Sequence, residues 1–215
     1  MYADIMSNNL LATAIAVSAA LVMTACSEAP KTETKAEPEA KQEAAAPTEP
    51  VLGKAAFYEM YKPARAWATD LLVLSLASDE VEGFKIQGGK AAMWTAVFVS
   101  PSKQAARTFT YAIVDQLPKV HKGVFEGGTE SWTGSTPQSE PFHMTDVAYN
   151  SDAAEAAAAE KAAVFLKKNP NKPLSFFLGK AARFPAPVWY VLWGDKKLGY
   201  SAFVNATTGK VMTGK

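Results

Sequence analysis

The chain of 215 residues has one cysteine and two histidines, and these shortages exclude several classes of protein. A single cysteine cannot form an internal disulfide, so side-chain packing must hold any folded domain together. No Cys-x-x-Cys or His-x-x-x-His spacing is present, which excludes the common structural zinc motifs. The phosphate-binding Gly-x-x-x-x-Gly-Lys-Ser/Thr loop and the Gly-x-Ser-x-Gly elbow of serine hydrolases are also missing. We therefore predict a protein that is not an enzyme and holds no cofactor or metal.

The one cysteine, Cys26, stands directly after an apolar segment near the N-terminus. Residues 10–23 are apolar apart from threonine and serine, a run too short to span a bilayer but suited to an export signal. The sequence Met23-Thr24-Ala25-Cys26 resembles the bacterial lipobox. That resemblance implies that residues 1–25 are a lipoprotein signal peptide and that a lipid such as palmitate is attached to the Cys26 thiol. An uncleaved anchor with an incidental cysteine is the alternative.

Residues 26–50 predict a tether between the lipid and a folded domain. From residue 27 to residue 50 there is no aromatic or large aliphatic side chain, so the segment cannot bury enough apolar surface to offset its ordering entropy. Residues 51–215 then carry nineteen basic and fourteen acidic residues, about +5 in net charge. This excess is too small and too dispersed to indicate nucleic-acid binding. The expected location is the cell envelope, anchored in the outer membrane and facing the periplasm.

The folded part is predicted to contain two α+β units, residues 51–150 and residues 151–215. Gly89-Lys90-Ala91-Ala92 recurs as Gly179-Lys180-Ala181-Ala182, 90 residues later, and each copy lies in a similar order of helix and strands. In the first unit we predict a helix over residues 64–77 with Pro63 at its first position. Phe84 and Ile86 alternate with polar residues as a strand does, and residues 93–99 and 108–114 predict a hairpin.

The second unit has the clearer pattern. Asp152 followed by Glu155 has the form of a capping box, and the alanine-rich run after it predicts a helix to Lys168. Strands are expected over residues 174–178, 188–193, 198–205 and 210–213. In the second of these strands, residues 188–193, Trp189 and Trp193 share one face with Val191, and Tyr190 lies on the other face.

The end of this unit, Val188-Trp189-Tyr190-Val191 through Val204-Asn205-Ala206-Thr207-Thr208-Gly209-Lys210-Val211, resembles a PepSY-type module. The resemblance implies a helix packed on a small antiparallel sheet, in exported or envelope proteins for which inhibitory or interaction roles are expected. The first unit would be a degenerate copy. The predicted fold is thus α+β, with tandem cystatin-like or PepSY-like units.

The connection between the units, residues 115–150, is predicted to be irregular because it is rich in glycine, serine and proline. It holds both His121 and His143, with Glu126, Glu130 and Asp146 nearby, so a metal site is a conceivable alternative. Gly127 and Gly128 are interpreted as turn residues that need a positive φ.

Aromatic side chains are the stronger indication of function. We expect the two halves to pack against each other and bury most of the rings, and any exposed remainder would mark a binding surface. Trp132 in the long connection, with His143 and Trp193, forms the candidate set of binding residues. The predicted function is a lipid-anchored envelope protein that binds an unknown protein partner or ligand. The alternatives are a small-ligand or metal receptor and an unrecognised hydrolase or its accessory subunit.

Overall fold

The computed structural model describes residues 48–212, so Cys26, the signal segment, most of the tether and residues 213–215 lie outside the described residues. Two helices and ten strands follow in the order β1 (Val51–Leu52), α1 (Gly53–Trp67), β2 (Leu72–Asp79), β3 (Lys90–Ala91), β4 (Met93–Ser100), β5 (Ala105–Ala112), β6 (Gly123–Ser131), α2 (Ser151–Lys168), β7 (Leu174–Gly179), β8 (Val188–Trp193), β9 (Tyr200–Asn205) and β10 (Val211–Met212). A 3₁₀ helix, Met144–Asp146, precedes α2. No helix in this part of the chain is long and apolar enough to cross a membrane.

Eight of the strands form one antiparallel sheet in the order β10-β9-β8-β7-β2-β4-β5-β6. Each half of the chain contributes a helix and then four strands that pair in sequence. The halves meet edge to edge at a seam, where residues 75–77 of β2 pair with residues 177–179 of β7. The α+β fold class is therefore confirmed, although the two predicted small sheets are joined into a single large one.

Both helices pack on the same face of the sheet and cover a shared core. Trp94 on β4 and Trp189 on β8 are fully buried, and their ring centroids lie 6.4 Å apart in an edge-to-face arrangement. Phe57 of α1 and Phe176 of β7 are buried in the same cluster. The halves thus share one hydrophobic core as well as one sheet, and neither half has a core of its own.

The two tryptophans also tie down the starts of the two helices. Trp94 Nε1 donates a hydrogen bond of 3.0 Å to the carbonyl of Val51, two residues before α1 begins. Trp189 Nε1 donates a bond of the same length to the carbonyl of Tyr149, two residues before α2 begins. The segment before each helix is therefore held by the same kind of contact in the two halves.

This correspondence corrects the sequence match that suggested the repeat. Trp94 and Trp189 are 95 residues apart, whereas the Gly-Lys-Ala-Ala copies are 90 apart and occupy different places. Gly89 has a positive φ of 71° just before β3, and Gly179 lies in the last position of β7. The two copies of the tetrapeptide therefore do not occupy corresponding places in the two halves.

The helix starts meet at a buried junction. Ser151 Oγ accepts from the Gly53 main-chain N–H at 2.9 Å and donates to the Gly89 carbonyl at 2.6 Å. The Gly89 N–H donates to Glu155 Oε2 at 2.5 Å. Asn150 Oδ1 accepts from the Lys54 N–H, so the first turn of each helix is bonded to the other half of the molecule.

The helix predicted over residues 64–77 is wrong. The first helix starts eleven residues earlier and ends at Trp67, and residues 72–79 form β2. Pro63 lies within the last turns of α1 and not at its start. Because Pro63 has no N–H, the helix lacks one main-chain hydrogen bond near its C-terminal end. Asp70 then holds the connection to β2, because its carboxylate accepts from Ser100 Oγ and from the Ser102 N–H.

Two other predictions in the first half need correction. Phe84 and Ile86 lie in the loop between β2 and β3, where Val81 and Phe84 form an isolated bridge rather than a strand. The connection of residues 115–150 contains the nine-residue strand β6. Gly127 and Gly128 lie inside that strand, next to the point where Arg107 pairs with Thr129 and Phe109 pairs with Glu126. They mark a β-bulge, not a turn with positive φ.

The second half follows its prediction closely. The helix ends at Lys168 as expected, and β7, β8 and β9 lie within one or two residues of their predicted places. The cap of α2 differs: Asn150 is the N-cap and accepts from the Ser151 N–H, while Glu155 bonds to Gly89 instead of closing a capping box. The turn before β10 is held by Asn205 Oδ1, which accepts from the N–H groups of Thr207 and Thr208.

Candidate functional site

The sheet face opposite the two helices is the candidate binding surface, called here the open face. Successive side chains of a strand point to opposite faces, so the burial of Trp94, Ala96 and Phe98 under the helices directs Thr95 and Val97 to the open face. The same alternation on β8 buries Trp189 and Val191 and directs Tyr190 outward. Most of the rings are buried, as expected, but the halves join edge to edge, so Phe177 is exposed and Tyr190 and Phe203 are only partly buried on the open face.

Two cross-strand rows on the open face contain no charged residue inside the strands. The pairing registers place the members of the first row side by side across all eight strands: Met212, Phe203, Tyr190, Phe177, Ala77, Thr95, Thr110 and Phe125. The second row, two residues along each strand, contains Asn205, Val188, Gly179, Ser75, Val97 and Thr108 from β9 to β5, and beyond Asn205 it ends at Lys210, whose carbonyl accepts from the Asn205 N–H. With strands about 4.8 Å apart, this uncharged band is about 34 Å wide.

The band carries a cluster of rings over β7, β8 and β9, and Phe125 is a separate ring at its β6 end. Tyr190 and Phe203 have ring centroids 5.0 Å apart, and Phe184 lies 5.3 Å from Phe203. Arg183 covers this cluster, with its guanidinium carbon 4.6 Å from the Phe184 centroid and 5.3 Å from that of Phe203. Rings that are already packed against one another lose little conformational freedom when a partner covers them.

Phe177 extends the aromatic cluster toward the seam. Its side chain is 46% exposed, although it occupies a central position in the sheet. A Cβ atom on Gly179 would lie 2.7 Å from the Phe177 ring, so the glycine leaves the space over which this ring lies. A large exposed ring that rests on a glycine in mid-sheet is a feature of a contact surface rather than of a core.

One carboxylate lies at the margin of the open face. Asp79 Oδ2 accepts a hydrogen bond of 2.5 Å from Thr95 Oγ1. Desolvation raises the pKa of Asp79, and the bond from Thr95 opposes that shift only in part. The open face is therefore polar around β4, where it carries threonine hydroxyls and the Asp79 carboxylate, and aromatic over β8 and β9.

The three binding residues predicted from the sequence lie in separate places. Trp132 follows β6 and is half-buried, and its main-chain N–H donates to the Gln104 carbonyl. His143 is exposed beside the 3₁₀ helix, and its main-chain N–H donates to the Asp146 carboxylate. Trp193 is only 5% exposed and lines a cleft on the helix side of the seam. The structure does not bring the three together, and their roles in binding stay predictions.

The two histidines do not form a metal centre with their neighbours. The His121 ring stacks on Phe125, with centroids 4.7 Å apart, whereas His143 lies beside the 3₁₀ helix. Glu126 pairs with Arg107 at 3.0 Å. Between residues 48 and 212, no group of three or more histidine, cysteine, aspartate or glutamate side chains is placed to hold a metal ion.

The residues of the open face could have been found in the sequence. Alternation on β8 separates Tyr190 from the two tryptophans, and the same rule on β7 and β9 separates Phe177 and Phe203 from their buried neighbours. What the sequence lacks is the edge-to-edge joining of the halves, which decides that these three rings share one surface. Arg183 and Phe184 lie in the loop before β8, where no periodic pattern identifies them.

Comparisons with known proteins return little. No family model matches the chain, and no curated protein matches it. Among solved structures, the chain is similar to the crystal structure of a "putative lipoprotein" from Clostridium difficile, with 13% sequence identity and a TM-score of 0.48. The similarity covers 79% of this chain and 97% of the other.

Proposed function

We propose that this chain is a lipid-anchored protein of the bacterial cell envelope that binds a protein partner through the open face. The observation that carries the proposal is the uncharged band, because charged residues make up 20% of the sequence and yet occupy none of the strand positions named in the two rows. Depletion of charge with enrichment of tyrosine, phenylalanine and arginine is the composition of the centre of a protein interface. No catalytic role is assigned.

The size of the band suits a protein partner. A standard interface buries about 800 Å² on each side. A band about 34 Å wide and two rows deep, together with the side chains around it, offers a surface of that order. A small ligand would be largely exposed on such a surface, whereas most sites for small molecules enclose the ligand in a cleft.

The membrane anchor and the module type complete the proposal. The lipobox resemblance at Cys26 and the apolar run before it support attachment through an N-terminal lipid, with the folded part held in the periplasm by residues 26–50. The PepSY-like assignment is supported by the order of one helix and four strands in residues 151–212 and by the Asn205–Gly209 turn. An inhibitory or regulatory action on an envelope protein is the role we infer for the tandem units.

The test of the open face places a charge on it. Tyr190→Lys should reduce capture of the native partner from envelope extract at least tenfold, because a desolvated ammonium in an apolar interface costs more than the roughly 1.4 kcal/mol that a tenfold change represents. Capture is measured by quantitative mass spectrometry on the full lipidated protein, immobilised through a C-terminal tag.

Val164→Lys is the matched control. Val164 is 72% exposed on α2, so the same charge is added on the opposite side of the molecule. The control should retain every partner that the unaltered protein captures. Equal loss with both variants, or no loss with Tyr190→Lys at unchanged thermal stability, would show that the open face is not the binding surface.

The anchor has its own test. Intact-mass analysis of the detergent-extracted protein should give a chain that begins at Cys26 and carries fatty acyl groups, since two or more acyl chains anchor stably at about 0.8 kcal/mol per buried methylene. Cys26→Ser should release the protein into the soluble fraction. Recovery of an unmodified chain that starts at Met1 or Met6 would refute the lipid anchor without affecting the open face.

A further inference from the structure

A cleft opens at the seam, on a different part of the molecule from the uncharged band. The strands β2 and β7 pair only between residues 75–77 and residues 177–179. Beyond that point the Phe176 N–H reaches the Ser78 side-chain oxygen at 2.9 Å instead of a main-chain carbonyl. The two strands therefore diverge toward Glu80 and Leu174, and the space between them becomes a cavity of about 880 Å³.

At Leu174, the first residue of β7, the main chain faces this cavity without a partner strand. In an antiparallel ladder, the N–H and C=O groups of alternate residues point to opposite neighbours. The Phe176 N–H points toward β2, so the main-chain N–H and C=O of Leu174, two residues earlier, point to the same side. The strand β8 pairs with β7 on the other side. The pairing with β2 has already ended, so the cleft holds a short length of strand edge with room beside it.

The rest of the cleft has an apolar floor and a charged rim. Its apolar lining comes from both halves and consists of Val81, Phe84, Ile86, Leu166, Pro170, Pro173, Leu174 and Trp193. The rim carries charges of both signs, with Glu80, Glu82 and Lys85 on one side and Lys172 on the other. Within residues 48–212 these four side chains make no ion pair with one another or with other groups.

We propose that this cleft binds an extended peptide segment, which adds a short strand beside Leu174. The unpaired edge supplies main-chain hydrogen bonds, and the apolar floor accepts alternate side chains of the added strand, as in other cases of strand addition. The mixed rim fits a segment that carries both an acidic and a basic residue outside its apolar positions. The cavity lies within the range of about 300–1,000 Å³ that ligand sites occupy.

The probe is a pool of synthetic heptapeptides, acetylated and amidated, with Val, Ile, Leu or Phe at alternate positions and Thr, Lys or Glu between them. When the pool is added to the full lipidated protein in detergent, amide hydrogen exchange at Leu174 should slow at least tenfold. The reason is that the Leu174 N–H becomes bonded to the added strand. A second pool, N-methylated at alternate positions on the edge that faces β7, should lose this effect.

A variant locates the site. Ile86→Asp should abolish the slowed exchange, whereas Val164→Asp on the outer side of α2 should leave it unchanged. If the first variant unfolds, the comparison of the two pools on the unaltered protein still decides. The proposal is overturned if the pool leaves exchange at Leu174 unchanged, or if the N-methylated pool protects Leu174 equally well. Neither result bears on capture through the open face.

Discussion

Replacing Gly89 with alanine should lower the free energy of unfolding by roughly 4 kcal/mol or more, which is in the range reserved for the most damaging single substitutions. A Cβ atom at this position would lie 2.2 Å from the Asp152 main-chain nitrogen and 2.4 Å from its Cα atom. These are backbone atoms in the first turn of α2, so no side chain can move aside. The residue also has φ of +71°, which alanine adopts only with strain.

The neighbouring glycine is the control. Gly88 has a similar φ of +61°, but a Cβ atom there meets nothing within 4 Å. Gly88→Ala should therefore cost only the conformational penalty, about 1–2 kcal/mol. Denaturant unfolding of residues 48–215 with unchanged m-value measures both. Equal losses from the two substitutions would show that the junction can relax and that only the backbone conformation matters.

Removing either buried tryptophan should cost about 3–5 kcal/mol, the usual penalty for deleting a large aromatic side chain from a core. Trp94→Ala and Trp189→Ala each remove a fully buried ring and also the hydrogen bond that holds the residue before a helix start. The two losses should be similar, because the residues are equivalent in the two halves. Thermal unfolding followed by circular dichroism measures each variant.

Two further variants separate the ring from its hydrogen bond. Trp189→Phe retains most of the ring but leaves the Tyr149 carbonyl without its donor, so it should cost about 1–3 kcal/mol. Trp132→Ala should cost less than either core deletion because Trp132 is half-buried. A large loss from Trp132→Ala together with a small one from Trp189→Ala would reverse our assignment of the core.

The second half could be predicted from its sequence because its local signals agree. The alanine-rich run between Asn150 and Asn169 is consistent only with a helix, and the alternating residues of β8 are consistent only with a strand. The cap of this helix differs from the predicted one for a tertiary reason. Glu155 is drawn to the Gly89 N–H, a group 66 residues away that local pattern cannot reveal.

The first half was harder because its local signals conflict. Trp67, Leu71 and Leu74 have helical spacing, but the extended conformation of Ala68 and the bonds of Asp70 separate them into a helix and a strand. The strand β6 was hidden by two glycines that mark a bulge. The open face was predictable in its parts, while its assembly depended on a seam between residues about a hundred positions apart, which no local rule determines.

That seam also governs the time order of folding. When the first half of the chain emerges, α1 and β4 have no Trp189 against which to pack, and the inner edge of β2 has no neighbour. We expect the first half to become ordered only once residues 174–193, near the end of the chain, are present to pack against it. Closing so long a loop is slow, because its entropy must be lost before the contacts across the seam can form. We therefore expect the chain to stay unfolded until residues 174–193 are available to it.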